Sequence, residues 1–136
     1  NPDTTHIFCA TGSGIAPINA ILESKQVKKI RANGTKMHLM WGNSKESDFF
    51  ELEDSSKINL SIHRFASKDV GSNTLSGRIT DPTINLLRSY REDEPINVYS
   101  CGNPNFIDDL KFKIKNLERN NINYYADYFT HNGKTK

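Results

Sequence analysis

Short apolar runs alternate along the chain with stretches of helical periodicity. His6-Ile7-Phe8-Cys9-Ala10 is apolar and ends in glycine-rich sequence, which predicts a buried strand. Ile15, Ile18 and Leu22 follow at helical spacing. Met37-His38-Leu39-Met40-Trp41-Gly42 predicts a second strand. Ser44 is placed to cap a short helix carrying Phe49, Phe50 and Leu52. Ile58, Leu60 and Ile62 alternate with polar residues and predict a third strand extending to Phe65.

The segment from Ser67 to Ser76 is rich in Gly, Ser, Asn and Asp and reads as a loop. Asp81-Pro82 has the form of a helix cap followed by proline at the first helical position, and Ile84, Leu87 and Tyr90 give that helix an apolar side. Pro95 ends it, and Ile96 to Cys101 predicts a fourth strand. Asn103-Pro104 repeats the cap-and-proline device before Ile107, Leu110, Ile114 and Leu117. Ile122 to Phe129 predicts a last strand, ahead of a polar tail from Thr130 to Lys136. Strands alternating with helices predict an α/β fold: a doubly wound, mostly parallel five-stranded sheet with helices on both faces. An α+β domain would need consecutive strands joined by short turns, and these are not evident.

The length of 136 residues suits one domain. Hydrophobic residues make up 35% and charged residues 25%, enough apolar clusters to exclude disorder. No apolar run approaches the roughly 20 residues of a membrane helix, and no stretch shows the charged start and apolar run expected of a signal peptide. The net charge of +2, with Lys and Arg interleaved among Asp and Glu, argues against nucleic acid as partner. The chain opens Asn1-Pro2 without an initiator Met, so it is expected to be a fragment or processed product. Cys9 and Cys101 lie far apart, and His6, His38, His63 and His131 are scattered, so no metal site is expected. A Cys9–Cys101 disulfide is formally possible, but an α/β domain of this size needs no staple and a reducing compartment is expected.

The most informative stretch is Ala10-Thr11-Gly12-Ser13-Gly14-Ile15-Ala16-Pro17. It leaves a predicted strand and opens a predicted helix. Glycines there let the backbone turn tightly and approach a ligand, and the helix N-terminus offers free N–H groups to a pyrophosphate. A Cβ at Gly12 or Gly14 is accordingly expected to block close approach of the backbone or to strain the turn, and Gly14→Val is expected to weaken nucleotide binding while largely sparing the fold. The pattern is G-x-G-x-x-P and lacks the Gly-Lys-Ser/Thr ending of an ATP-type phosphate loop. A tight turn without a ligand is the bland alternative.

These residues resemble the nucleotide loop of the ferredoxin–NADP⁺ reductase superfamily, in its C-terminal pyridine-nucleotide domain. Further segments agree in order. Leu39-Met40-Trp41-Gly42 with Asp48-Phe49-Phe50 resembles the family's second strand and following helix. Ser67-Lys68-Asp69 sits where members have Ser/Thr-Arg-Glu, and Gly77-Arg78-Ile79 resembles the Gly-Arg-Val/Ile segment. Tyr99-Ser100-Cys101-Gly102-Asn103-Pro104 resembles the Cys-Gly-x-Pro motif, and Asp127-Tyr128-Phe129 lies where members carry Glu-x-aromatic.

The resemblance implies a Rossmann-like sheet of order 3-2-1-4-5 and hydride exchange between NAD(P)H and FAD, followed by onward electron transfer. It implies catalytic roles for Cys101 and Asp127, the latter one methylene shorter than the family's Glu. It places Thr11, Gly12, Ser13, Gly14, Ile15, Pro17, Cys101, Gly102, Asn103, Pro104 and Phe129 around the cofactor. Ser67, Lys68 and Arg78 would meet a ribose 2′-phosphate, which leans toward NADP(H) over NAD(H), although Lys68 replaces an Arg and gives a point charge instead of a fork. The family's flavin motif, Arg-x-Tyr/Phe-Ser/Thr on a β-barrel, is missing, so FAD is expected to be held mainly by a domain upstream of Asn1. The implied partners are that domain and an unidentified electron acceptor. The implied location is the cytoplasm or the cytoplasmic side of a membrane. A nucleotide-sensing or protein-interaction domain of the same fold, without hydride chemistry, is the alternative.

Overall fold

The computed structural model describes residues 3–52 and 59–128. Six strands form one sheet, β1 (Thr5–Thr11), β2 (Met37–Lys45), β3 (Leu60–Asp69), β4 (Leu75–Ser76), β5 (Ile96–Gly102) and β6 (Ile122–Tyr128), in the order β4-β3-β2-β1-β5-β6. Every pairing is parallel. Four helices accompany them: α1 (Ile15–Glu23), α2 (Lys25–Ala32), α3 (Thr80–Arg88) and α4 (Pro104–Lys115). The five long strands keep the predicted order, and the two-residue β4 extends the sheet by one edge strand.

Each face has its own core. Ile15, Ile18 and Leu22 of α1 pack with Phe8, Leu39, Trp41 and Cys101, and Val27 and Ile30 of α2 add to this layer. Ile84 and Leu87 of α3 and Leu110 and Ile114 of α4 pack with Ile7, Cys9, Met40 and Val98 on the other face. The alternation of side chains along the central strands accounts for both sets, since Ile7 and Cys9 point one way and Phe8 and Ala10 the other.

Local chemistry sets the helix ends. Asn103 caps α4 as expected: its Oδ1 accepts from the Phe106 amide at 2.9 Å, and Pro104 takes the first turn. Asp81 does not cap α3. That helix starts at Thr80, its N-cap Ile79 makes no side-chain cap bond, and Asp81 instead accepts from Lys113 of α4 at 3.1 Å. The segment after Gly14 is two helices, because Ser24 is extended and accepts from the Val27 amide at 3.3 Å, capping α2.

The Ser44-capped helix is not formed. β2 runs through Ser44 to Lys45 and a single 3-10 turn, Glu46–Asp48, follows. Phe49 and Phe50 meet Trp41 edge-on at centroid distances of 5.0 and 5.1 Å, so their spacing serves a contact and not a helical face. The expected loop from Ser67 to Ser76 is shorter than expected, since Ser67–Asp69 belongs to β3 and Leu75–Ser76 to β4. The start of the third strand at Ile58 lies outside the described residues.

Three half-buried histidines give the fold a pH dependence. His38 Nδ1 lies 3.3 Å from His63 Nε2, and His38 Nε2 lies 3.0 Å from the Tyr90 hydroxyl, so each contact is satisfied with one proton between its two atoms. Burial lowers the pKa of His6, His38 and His63 below the ordinary 6.5, and the neighbouring charge of His63 lowers His38 further. The unfolded chain therefore takes up these protons first as pH falls. Stability should be full above pH 6.5 and decline below it, until the folded-state values are passed. Urea unfolding between pH 7.5 and 5.5 should show this, with a shallower slope in the variant carrying both His38→Gln and His63→Gln; equal slopes would remove the pair from the account.

Candidate functional site

β1 has β2 on one side and β5 on the other, and the chain leaves these strands in opposite directions. Such a reversal of strand order opens a crevice beyond the carboxyl ends of the strands. A cavity of about 730 Å³ occupies that place. Its wall is made by Thr11-Gly12-Ser13 after β1, Gly42-Asn43-Ser44 and Asp48 at the end of β2, Ser67 of β3, the segment Gly77-Arg78-Ile79-Thr80, and Asn103, Asn105, Phe106 and Asp109 at the start of α4.

The glycine turn is built tightly. Gly12–Gly14 forms a 3-10 turn between β1 and α1, with Gly12 at φ +54°, a conformation that favours glycine. Gly12 faces open space in the cavity wall. Gly14 is buried beneath it and does not line the cavity: a Cβ there would overlap the carbonyl group of Cys101 and come within 2.9 Å of the Gly102 amide nitrogen. The expectation that a side chain at Gly14 spares the fold is thus corrected. Its missing Cβ lets the turn rest on the Cys101–Gly102 peptide, and that contact is structural.

Of the residues expected around a cofactor, Thr11, Gly12, Ser13, Ser67, Arg78 and Asn103 line the cavity. Ile15 belongs to the core, Pro17 is the third residue of α1, and Pro104 opens α4; none is in the cavity wall. Lys68 is exposed and also outside the wall. The resemblance has Ser67, Lys68 and Arg78 meet one phosphate, with Ser67 and Lys68 in a loop. Ser67 and Lys68 sit in β3, where adjacent side chains point to opposite faces. Phe129 lies outside the described residues. The structure adds Asn43, Asn105 and Asp109, polar groups at strand and helix ends that no motif marked, and Asp48, which the motifs placed on a helix and not at a ligand.

Cys101 and Gly102 end β5 just before Asn103 but are buried and, like Asp127, are not in the cavity wall; Cys101 is the register partner of Asp127 on β6. Burial, and then the charge of Asp127, push the Cys101 thiol up to about 11. It therefore stays protonated at neutral pH, a small weak donor and not a thiolate nucleophile. Cys9 sits in the opposite core layer, its Sγ 3.8 Å from Thr83 Oγ1, and both cysteines are free.

One polar atom at the turn has no partner. Thr11 Oγ1 is buried without a hydrogen bond, and a Cβ on Gly102 would overlap it. A buried hydroxyl with no protein partner, an open glycine at positive φ and the first turn of α1 fit a phosphate-bearing ligand. Among the described residues no group of three or more His, Cys, Asp and Glu could hold a metal ion, and no helix is long and apolar enough to cross a membrane.

A family model described as the oxidoreductase NAD-binding domain matches residues 8–111, from β1 into α4. The chain belongs to this family. Solved structures agree with this NAD-binding domain in fold. It superposes on the cytochrome P450 reductase of Amycolatopsis with a TM-score of 0.71 at 16% identity, covering 93% of this chain and 38% of that one. A ferredoxin–NADP⁺ reductase from Neisseria gonorrhoeae, solved with bound FAD and NADP, gives 0.70 at 22% identity, covering 90% and 55%. The cytochrome b5 reductase domain of Ulva prolifera nitrate reductase gives 0.64 at 18%, covering 90% and 48%. The NAD-binding domain thus spans 38% to 55% of these reductases. No curated protein matches the sequence.

Proposed function

We propose that this chain is the nucleotide-binding part of a flavin-dependent oxidoreductase, presenting NAD(P)H for hydride exchange with an FAD held by a separate domain of the same protein, with electrons passing onward to an acceptor. The observation that carries this reading is the Gly12–Gly14 turn at the strand-order reversal, seated on the Cys101–Gly102 peptide. The cofactor would supply the hydride. The chain's own part is placement. Gly12 leaves room for a pyrophosphate, and the Thr11 hydroxyl and the N–H groups of the turn would bind it. Cys101 and Gly102 would offer a small surface to the nicotinamide, and Cys101 keeps its proton there. Asp127, beside Cys101, would hold negative charge at the same edge.

The direct test is Gly12→Val. Its Cβ meets open space, so the fold should survive with a cost of about 1–2 kcal/mol for a side chain at positive φ. NAD(P)⁺ affinity should fall at least about tenfold, because the side chain occupies the approach to the turn. Calorimetry showing unchanged affinity in a folded variant would reduce the turn to a structural device.

For nucleotide choice, we propose that Arg78 contacts the 2′-phosphate of NADP(H) from the cavity wall. Arg78→Ala should weaken NADP⁺ binding by roughly tenfold or more and leave NAD⁺ nearly unchanged, since only the former loses a charge-assisted bond. Lys68→Ala should do less, because its side chain lies outside the wall. Parallel titrations of both nucleotides at two salt concentrations decide this; equal losses for the two nucleotides would make Arg78 a bystander.

A further inference from the structure

The end of the sheet away from the nucleotide crevice carries a second cluster of side chains. His38 lies near the start of β2, and His63 lies in the first half of β3. His63 is the register partner of Met40, two positions beyond His38, so the two imidazoles stand on one sheet face, diagonally across the strand pair. Their rings stack with centroids 5.5 Å apart and planes 19° from parallel, and both are half-buried. His38 Nδ1 faces His63 Nε2 at 3.3 Å. On the other side of the His38 ring, Nε2 lies 3.0 Å from the hydroxyl of Tyr90, just beyond α3. Thr5 of β1 hydrogen-bonds that hydroxyl in turn.

The separation of the two facing nitrogens fits a metal ion. Zinc binds imidazole nitrogen at about 2.0–2.1 Å, so two such bonds ending 3.3 Å apart enclose an angle of about 104–111°, the tetrahedral value that Zn²⁺ adopts. The right-angled ligand pair of an octahedral or square-planar ion would need nitrogens about 2.9 Å apart. Tyr90 supplies the second feature of such a site. A ligating histidine commonly donates its other N–H to a fixed oxygen, which sets its tautomer and the orientation of its ring. With Nε2–H given to Tyr90, His38 turns a bare Nδ1 toward His63.

We propose that His38 Nδ1 and His63 Nε2 bind a zinc ion, with water in its remaining positions. The ion replaces the proton shared by the two nitrogens, and His63 carries that proton on Nδ1 instead. No third His, Cys, Asp or Glu joins them among the described residues, and Lys36 sets a positive charge near His38. Binding is therefore expected to be reversible, with a dissociation constant on the order of micromolar. β4 pairs only with Phe65 and Ala66, so among the described residues the part of β3 that carries His63 is paired by β2 alone. Zinc would clip this edge segment to its neighbour. The proposal does not rest on the reading given under Proposed function.

The test titrates the chelator-treated chain with zinc chloride at pH 7.5. Calorimetry should give one ion per chain. At a zinc concentration about a hundred times the dissociation constant, Tm should rise by about 5–10 °C. Long-range ¹H–¹⁵N spectra of the imidazoles should show His38 bound through Nδ1 and His63 through Nε2, with His6 unmoved. His38→Gln and His63→Gln should each lower the affinity at least about tenfold. Tyr90→Phe keeps both ligands and should also lower it about tenfold, while letting the metal-free His38 ring populate its Nδ1–H tautomer. The spectra of the parent chain decide the matter even where a variant fails to fold. Zinc that leaves both ring signals in place overturns the proposal, as does a rise in Tm that survives the loss of both histidines. Half an ion per chain with a dimeric mass in ultracentrifugation also overturns it, since the ion would then bridge two copies.

Discussion

Gly14→Val is expected to prevent folding of the chain. The new Cβ would overlap the Cys101 carbonyl and press on the Gly102 amide nitrogen, and both are backbone atoms of a central strand that cannot swing aside. Relief would require β5 and the turn to separate, which would open the core layer containing Ile15 and Cys101. A cost above about 4–5 kcal/mol is the expected order for a clash of this kind, a large share of the roughly 5–15 kcal/mol that holds a domain together. Gly14→Ala should already show most of the effect, because the first carbon is the one that collides. Circular dichroism and urea unfolding measure it. A cooperative transition for Gly14→Ala within about 1 kcal/mol of the parent would mean that the turn can move off the strand. Gly12→Val serves as the contrast, two residues away and facing open space.

Trp41→Ala should be the most damaging truncation in the other part of the same core. Trp41 is fully buried, and Phe49 and Phe50 meet it edge-on while the Arg64 guanidinium lies 5.6 Å from its ring centroid. Removing the indole takes away a large apolar surface and leaves a cavity that two other rings line, a cost of about 3–5 kcal/mol. Phe49 follows directly on the Glu46–Asp48 turn, so this turn would lose its anchor and the Asp48 side of the nucleotide crevice would loosen. Urea midpoints should fall in the order parent, Trp41→Phe, Trp41→Ala with little change in slope. A Trp41→Ala cost below about 1 kcal/mol would show that Phe49 and Phe50 refill the space.

Fold legibility followed the range of the forces involved. Asn103-Pro104 could be read because cap and proline act within three residues of each other. Asp81-Pro82 carries the same signal and misleads, since Lys113, 32 positions further on, draws the Asp81 carboxylate away. Ser24 was a readable cap that the apolar spacing of Ile15, Ile18 and Leu22 overshadowed. Phe49, Phe50 and Leu52 imitate a helical face because they answer to Trp41 on a strand.

The site divides in the same way. The Thr11–Ser13 turn, Ser67, Arg78 and Asn103 reach the crevice from segments whose local motif fixes their backbone. Lys68 does not, because a strand in place of a loop sends it to the other side of Ser67. The purpose of Gly14 is a contact with residue 101, and no local pattern states it.

The parallel arrangement also has a temporal side. β1 is the first strand of this sheet to be made, and one of its edges is paired by β2, yet Thr5 finds its partner on the other edge in Ile96. During synthesis that second edge must wait while most of the domain is translated. At roughly 5–20 residues per second the interval runs to several seconds. For that time the nascent sheet carries an open hydrogen-bonding edge at Ile7 and Cys9, residues with no exposure at all in the finished molecule. Early arrest or slow translation before residue 96 would prolong the stage at which this chain is most prone to pair with the wrong neighbour.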